Sequence, residues 1–216
     1  MHRMVRHCVL VVAFAIAAVV PLWGTASVFA QDASDECASA FWLESLTTSE
    51  ATDDTAARKI TKPAPAWMTT ELTDACSGET FALADFAGKT VYIEAMATWC
   101  PPCRDQLARV KEATAQLSEE ERGEIVIVAL SSEVDLPRET LAEYASTNEF
   151  PFIFAVMPAA MLQAMADELG QEIAVPPATP HLIVAPDGTI GEIRTGSESP
   201  EDLLALFAET QQAAPS

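Results

Sequence analysis

Basic residues are scarce in this chain. Its 216 residues include 12 Lys and Arg against 32 Asp and Glu, which gives a formal net charge of −20. Binding to a phosphate backbone needs a surplus of basic side chains, so this balance argues against nucleic acid as a partner and against a polybasic membrane-surface module. Three histidines and five cysteines leave little room for several metal sites. The apolar share of 50% is that of a folded chain.

Long apolar runs are also lacking, except at the N-terminus. There Arg3 and Arg6 precede the apolar run Cys8–Trp23, and small residues follow as far as Val28-Phe29-Ala30. This order is typical of an export signal and predicts cleavage after Ala30. The alternative is an uncleaved anchor, although the run is shorter than the ~20 residues of a spanning helix. In either case the rest of the chain is expected to be exported, periplasmic or otherwise extracytoplasmic, and soluble once the signal is cleaved.

The exported part divides into an extension and a domain. Residues 31–65 are predicted to form an N-terminal extension, because Ser49–Thr55 lacks hydrophobic periodicity and Lys62-Pro63-Ala64-Pro65 is typical of a linker. Within it, Phe41-Trp42-Leu43 is apolar enough to dock on another part of the protein. Residues 66–212 alternate strand-like and helix-like segments, which predicts a parallel sheet flanked by helices. The predicted elements are strands at Thr90–Ala95, Glu124–Leu130 and Phe152–Val156, helices from Cys100 to about Ser118, from Leu136 and over Pro158–Leu169, a hairpin of His181–Ala185 and Thr189–Arg194, and a helix after Ser199.

Four cysteines remain beyond the predicted signal, at Cys37, Cys76, Cys100 and Cys103. An even number in an oxidising compartment favours disulfides. The close spacing favours a pair between Cys100 and Cys103, which leaves Cys37 to pair with Cys76 and tie the extension to the domain. The alternative is that Cys37 is a free thiol.

The segment Trp99-Cys100-Pro101-Pro102-Cys103 is the strongest chemical signal, because it lies where a predicted strand ends and a helix begins. Unpaired N–H groups at a helix N-terminus stabilise a thiolate, so Cys100 is the expected nucleophile. The spacing lets Cys103 act as the buried resolving thiol. Two alternatives are a purely structural disulfide and a zinc site completed by Cys37, Cys76 or His181, which form no second close pair.

Residues 87–103, AGKTVYIEAMATWCPPC, resemble the exported TlpA/ResA-like thiol–disulfide oxidoreductases of the thioredoxin superfamily. A second similarity is Ala178-Thr179-Pro180, followed by a strand and Pro186-Asp187-Gly188. The resemblance covers about residues 66–212. It implies an α/β, thioredoxin-like three-layer fold, with a mixed central sheet flanked by helices and a C-terminal β-hairpin and helix.

The resemblance also implies roles for single residues. Pro180 would be the cis-proline that lies against the disulfide, with Pro176 and Pro177 as rival positions. The backbone of Thr179 would pair with an extended substrate segment, in the manner of an added strand. Trp99 would cover the cysteines and shape the docking surface.

Glu94 matches the buried acid of thioredoxins, six positions before the first cysteine. Burial would raise its pKa toward neutrality and suit proton exchange with Cys103. The alternative is an outward-facing strand residue, because alternation places Tyr92, Glu94 and Met96 on one face of the strand without saying which face is buried. Many TlpA-like proteins carry a glutamate where this chain has Gln106, which leaves Glu94 as the nearby acid.

These features predict an enzyme that exchanges the Cys100–Cys103 dithiol and disulfide with protein substrates. The resemblance favours the reductive direction, a membrane-embedded thiol electron donor and a role in cytochrome c maturation. No metal and no organic cofactor are required. Two alternatives are a disulfide oxidase or isomerase of the envelope, and a non-enzymatic protein that binds copper through the two cysteines. His181 is expected to be a plain strand residue, and Arg104 to be exposed.

Overall fold

The computed structural model describes Ser39, Leu43 and residues 64–212. Among these residues, no helix is both long and apolar enough to cross a bilayer. The predicted export signal lies outside the described residues and stays a prediction.

A four-stranded mixed sheet follows a small antiparallel hairpin of β1 (Leu72–Thr73) and β2 (Thr80–Phe81). Strands β3, β4 and β5 are parallel, β6 runs antiparallel to β3, and the order across the sheet is β5-β4-β3-β6. Every residue of β3 and β4 is buried, as expected of strands covered on both faces. The four strands are β3 (Thr90–Met96), β4 (Ile125–Ser131), β5 (Ile153–Val156) and β6 (His181–Val184).

Helices connect the strands, as the sequence predicts. Gly170 ends the fourth helix with a positive φ of 124°, a conformation that glycine adopts without a steric penalty. The α-helices of the described residues are α1 (Pro101–Ala115), α2 (Glu119–Gly123), α3 (Arg138–Thr147), α4 (Ala159–Leu169) and α5 (Pro200–Gln212). The 3₁₀ turns are Ala66–Thr69, Leu83–Phe86, Gln171–Ala174 and Pro176–Ala178.

The core forms one layer on each face of the sheet. One layer joins Val91 and Ile93 of β3 to α4 and to the residues around Trp67. The other joins Tyr92 of β3 to α1, α3 and α5, and it includes both Cys100 and Cys103. The predicted three-layer α/β fold is therefore confirmed, and the site lies on the face covered by α1.

Part of the predicted extension packs on this domain. The side chain of Leu43 is 3% exposed and belongs to the core layer under α4. The hydroxyl of Ser39 donates a hydrogen bond of 2.8 Å to Asp74, a fully buried carboxylate. Asp74 also accepts from the Ser77 backbone and hydroxyl and from the backbone N–H of Phe154 in β5. One carboxylate thus joins the extension, the turn after β1 and the edge of the sheet.

The C-terminal hairpin differs from its prediction. The turn at Pro186-Asp187-Gly188 is present, but the return segment Thr189–Arg194 meets β6 only at two isolated bridges, so the prediction of a continuous second strand is wrong. Between the bridges, Gly191 donates to the carbonyl of Ile183 at 2.8 Å. A Cβ atom at position 191 would lie 3.0 Å from the same carbonyl oxygen, so the close approach of the two segments favours glycine. Glycine in turn weakens the return segment as a strand.

Candidate active site

Cys100 and Cys103 form a disulfide at the N-terminus of α1, with their Cα atoms 5.4 Å apart. Strand β3 ends at Met96, and a short turn delivers Cys100 to the N-cap position of the helix. There the backbone N–H of Cys103 donates to the Cys100 sulfur at 3.2 Å. Pro101 occupies the first helical position, where a missing N–H removes no helix hydrogen bond. The helix N-terminus therefore presents a donor to the Cys100 sulfur, as a stabilised thiolate requires.

The two sulfurs differ in their surroundings. Cys100 is 2% exposed, while Cys103 is fully buried. Trp99, the residue before the pair, has 61% of its surface exposed, and Val175 on the facing loop has 49%. They are the large apolar side chains that the described part of the chain leaves exposed. Cys100 is thus the sulfur closer to solvent, and it lies next to an apolar side chain that a polypeptide can contact.

The loop before β6 approaches the buried sulfur. The carbonyl oxygen of Pro176 lies 3.0 Å from the sulfur of Cys103. Pro176 is buried at the start of a 3₁₀ turn that Thr179 closes by donating its N–H to the same carbonyl at 2.7 Å. Pro176, one of the two alternatives to Pro180, is therefore the proline whose carbonyl lies within hydrogen-bonding distance of the disulfide.

The expected cis peptide bond at Pro180 is wrong, because residues 64–212 contain no cis peptide bond. The chain turns instead at Thr179, whose φ of 48° lies in the left-handed region. This turn directs Pro180 to the start of β6, where its carbonyl accepts the N–H of Ala95 at 3.0 Å. Pro180 is buried beside β3 in this position.

The expected pairing of Thr179 with a substrate strand stays a prediction. Thr179 is 1% exposed, its N–H is bonded to Pro176, and its carbonyl oxygen lies 2.9 Å from Nδ1 of His181. Both backbone groups therefore make a contact within the chain, and the carbonyl oxygen keeps a second lone pair.

Glu94 is fully buried on the same face of β3 as Tyr92, the face that α1 covers. The alternative of an outward-facing side chain is therefore wrong. Its Oε2 accepts a hydrogen bond of 3.1 Å from the Tyr92 hydroxyl, and its Oε1 has no hydrogen-bond partner among the described residues. Burial raises the pKa of the Glu94 carboxyl well above its ordinary value, and the Tyr92 hydrogen bond partly opposes this shift. A buried acid that can hold a proton thus lies in the core layer that contains both cysteines.

Sequence reasoning missed the polar partner of this acid, Tyr92, and the partner of that tyrosine, Gln106. Tyr92 is fully buried, and burial raises the pKa of its hydroxyl well above the ordinary value. Gln106 of α1 is fully buried and donates to the Tyr92 oxygen at 3.5 Å. The signal for Tyr92 was its place on the same strand face as Glu94. Gln106 was noted only as a departure from the family pattern.

His181 is more than a plain strand residue. It is fully buried, its ring stacks on Tyr92 with centroids 5.4 Å apart, and its Nε2 lies 3.4 Å from the carboxylate of Glu198. Arg194 pairs with the other oxygen of Glu198. The group of His181, Glu198 and Arg194 therefore borders Tyr92, and His181 lies directly opposite Glu94 in the pairing of β3 with β6. Arg104 is exposed, as expected, and pairs with its neighbour Asp105.

The structure describes only one cysteine of the second predicted disulfide. Cys76 is in the disulfide-bonded state. Cys37 lies outside the described residues, so its pairing with Cys76 stays a prediction. Across the part of the chain that the structure describes, no group of three or more His, Cys, Asp or Glu side chains is arranged to hold a metal ion.

A scan of family patterns matches the chain to the family described as Redoxin over residues 50–205. The chain belongs to the Redoxin family. No curated protein matches its sequence significantly. The match spans β1 to α5 and includes the cysteine pair, so the redoxin domain carries the whole site described above.

Solved structures place the redoxin domain among thioredoxin folds. A thiol:disulfide interchange protein from Chlorobium tepidum aligns with a TM-score of 0.54 at 18% identity, covering 69% of this chain and 97% of that one. A secreted Mycobacterium tuberculosis disulfide oxidoreductase homologous to E. coli DsbE aligns with a TM-score of 0.52 at 16% identity, over 66% and 97% of the two chains. Copper-bound ScoI of Arabidopsis thaliana gives 0.52 at 15% identity, over 66% and 96%.

The similarity to these solved structures supports the fold, and the family together with the Cys100–Cys103 pair indicates the class of reaction. This redoxin is a thiol–disulfide oxidoreductase. Thioredoxin-like enzymes of this class exchange disulfides with protein substrates by attack of a thiolate on a disulfide sulfur.

Proposed function

We propose that this redoxin is an exported reductant of the TlpA/ResA-like type, which reduces disulfides in other proteins. The observation that carries the exchange chemistry is the asymmetry of the two sulfurs, and the reductive direction is supported by the family resemblance of residues 87–103. The Cys100 sulfur receives an N–H from Cys103, whereas the buried Cys103 sulfur faces the carbonyl of Pro176. This arrangement stabilises a thiolate at Cys100 and a protonated thiol at Cys103, which are the starting states for substrate reduction.

The reductive cycle begins with the Cys100 thiolate. It attacks one sulfur of a substrate disulfide, forms a mixed disulfide, and releases the other substrate sulfur as a thiolate that takes a proton from solvent. Cys103 then passes its proton to the Glu94 carboxylate and attacks the Cys100 sulfur. The second substrate thiolate leaves, and the enzyme retains the Cys100–Cys103 disulfide. Two electrons have moved from the enzyme to the substrate.

The cycle needs a supply of two electrons to reopen the disulfide. We propose a membrane-embedded thiol protein as the donor, because the N-terminal pattern of the chain favours export to a compartment that lacks a soluble thiol pool. Within the same proposal, an apocytochrome c with an oxidised cysteine pair is the preferred substrate. The support for this substrate is the family resemblance of residues 87–103.

Substrates dock on the apolar rim beside the disulfide. Trp99 and Val175 are exposed on the two segments that flank the cysteines. Recognition then depends on side-chain contacts with this rim. A flexible segment with an apolar residue near its cysteine fits these contacts.

The test of direction is the equilibrium reduction potential of the Cys100–Cys103 pair against glutathione or dithiothreitol buffers. A reductant is expected near the potential of thioredoxin, about −270 mV, or lower. A value near about −120 mV, typical of a strong oxidant, would overturn the proposal in favour of a disulfide donor.

A Cys100→Ser variant separates the enzyme from the copper-binding alternative. The enzyme is expected to lose insulin disulfide reduction, and Cys103→Ser is expected to accumulate mixed disulfides through Cys100. Full activity of the Cys100→Ser variant contradicts the proposal. The proposal is also contradicted if the dithiol takes Cu(I) from a chelator while no exchange with protein disulfides is detected.

A further inference from the structure

A line of three hydrogen bonds, of which the last two are buried, ends on Glu94. It starts at the backbone N–H of Glu198, which donates to Oε1 of Gln106 at 3.0 Å. Nε2 of Gln106 donates to the Tyr92 oxygen at 3.5 Å, and the Tyr92 hydroxyl donates to Oε2 of Glu94 at 3.1 Å. Gln106, Tyr92 and Glu94 are all fully buried. The line runs from α1 to β3 within the core layer that contains the cysteines.

The direction of these bonds is determined by their first member. A backbone N–H can only donate, so the atom of Gln106 that faces Glu198 is the carbonyl oxygen. The amide nitrogen therefore faces Tyr92 and donates to it. Since the Tyr92 oxygen accepts this bond, its single proton points to Glu94. All three bonds donate toward the carboxyl group, and aligned bonds of this kind strengthen one another.

The phenol ring is held in place from two sides. It stacks on His181 and meets Phe207 edge-on, with centroids 5.4 Å and 6.1 Å away. The hydroxyl therefore has little freedom to leave Glu94. The other ionisable groups near this line are Tyr144 of α3, His181 of β6, Glu198 ahead of α5, and Arg104 and Asp105 of α1.

We propose that Tyr92, oriented by Gln106, is a positioning residue that fixes the Glu94 carboxyl and supports its ionised form during disulfide exchange. The inference rests on the proton role of Glu94 proposed above. Burial alone would keep Glu94 protonated, and a protonated carboxyl cannot take the proton of Cys103. The bond donated by the Tyr92 hydroxyl opposes this effect of burial and lowers the pKa of the Glu94 carboxyl.

The direct test is an infrared titration of the oxidised protein, in which the two active-site cysteines do not titrate. The C=O band of the protonated Glu94 carboxyl is followed against pH and is assigned by its loss in Glu94→Gln. Tyr92→Phe removes the hydroxyl and keeps the ring, so the midpoint should rise by about one pH unit. Gln106→Met, which leaves Tyr92 in place, should raise it in the same direction by less.

Tyr144→Phe is the matched control. The Tyr144 hydroxyl is buried without a hydrogen-bond partner among the described residues, and its pKa is raised to about 12, so it remains protonated throughout the titration. Its removal should leave the Glu94 midpoint unchanged. The proposal is overturned if the Glu94 midpoint is the same in the wild type and in Tyr92→Phe, or if Tyr92→Phe and Tyr144→Phe shift it equally. It is also overturned if the Glu94 carboxyl stays protonated over the whole titration in both the wild type and Tyr92→Phe.

A second measurement separates this proposal from the proton role on which it rests. The rate at which Cys103 resolves a preformed mixed disulfide is recorded against pH. The wild-type profile should follow the Glu94 midpoint and shift with it in Tyr92→Phe. A profile that is unchanged in Glu94→Gln refutes the proton role of Glu94, while the infrared midpoints still decide whether Tyr92 controls the carboxyl.

Discussion

The Cys103 sulfur and the Pro176 carbonyl oxygen lie 3.0 Å apart, although 73 positions separate them in the chain. On reduction we expect this carbonyl to accept a hydrogen bond from the Cys103 thiol, while the Cys103 N–H donates to the Cys100 sulfur, as it does in the disulfide. The two contacts act in the same sense. One favours the thiol form at Cys103, and the other favours the thiolate at Cys100.

We therefore expect unequal alkylation of the reduced enzyme. With limiting iodoacetamide, Cys100 should be modified at least about tenfold faster than Cys103, since a difference of one pKa unit changes the thiolate fraction tenfold. Peptide mass spectrometry after short reaction times measures the ratio. Equal labelling of the two residues in the folded protein contradicts the assignment of their roles, and unfolded enzyme provides the reference in which both react alike.

Trp99→Ala should impair protein substrates selectively. The side chain is 61% exposed, so its loss should change the free energy of unfolding by no more than about 0.5 kcal/mol. Loss of a tryptophan contact to a bound polypeptide should raise KM for a protein disulfide by about tenfold, which is ~1.4 kcal/mol. Oxidised glutathione, which is too small to span the rim, is the control substrate and should react at the wild-type rate. An equal loss with both substrates argues against a docking role.

The stability of the oxidised protein should fall as pH rises above the ordinary pKa of a glutamate, about 4.3. Burial raises the pKa of Glu94 in the folded state, so over this range the folded chain retains a proton that the unfolded chain has lost. Glu94→Gln removes this group and should lessen the decline by up to about 1.4 kcal/mol per pH unit. Urea unfolding at a series of pH values measures the slope. Glu143→Gln, at an exposed position, is the matched control. If the free energy of unfolding of Glu94→Gln falls with pH as steeply as that of the wild type, the prediction is wrong.

Asp74→Asn should weaken the attachment of the extension and of the sheet edge together. Both oxygens of the Asp74 carboxylate accept hydrogen bonds, one from the serines and the other from the Phe154 N–H. In asparagine an NH₂ group, itself a donor, would replace one of these oxygens and leave the donors on that side unsatisfied. We expect a loss of about 1–3 kcal/mol in the free energy of unfolding. Ser77→Ala removes an exposed partner of the same carboxylate, together with the exposed bond that its hydroxyl accepts from the Glu79 N–H, and should cost less than about 1 kcal/mol. Equal losses in the two variants would show that the buried bonds contribute little.

The sequence was sufficient for the features that follow local patterns. Strand alternation placed Glu94 and Tyr92 on one face, and the strand-to-helix position of Cys100 followed from its proline neighbours and the preceding apolar run. Both depend on residues a few positions apart. The order of helices and strands followed in the same way, so the fold class was predictable.

The loop before β6 was not predictable from such patterns. Its segment VPPATP contains three prolines, and the left-handed turn at Thr179 depends on a hydrogen bond to Pro176 and on packing against the disulfide. The role of Gln106 depends on Glu198, 92 positions away. A single sequence does not reveal such pairings, because neither partner changes the local periodicity.

Both edges of the central sheet are occupied in the part of the chain that the structure describes. The segment after β1 lies along β5, where Asp74 bridges Ala155 and the Ala75 N–H donates to the Phe154 carbonyl. The hairpin return segment lies along β6. Bare strand edges are the usual route by which β-proteins pair with one another and aggregate. An oxidoreductase that exchanges disulfides with other proteins is thereby protected from pairing its strands with theirs.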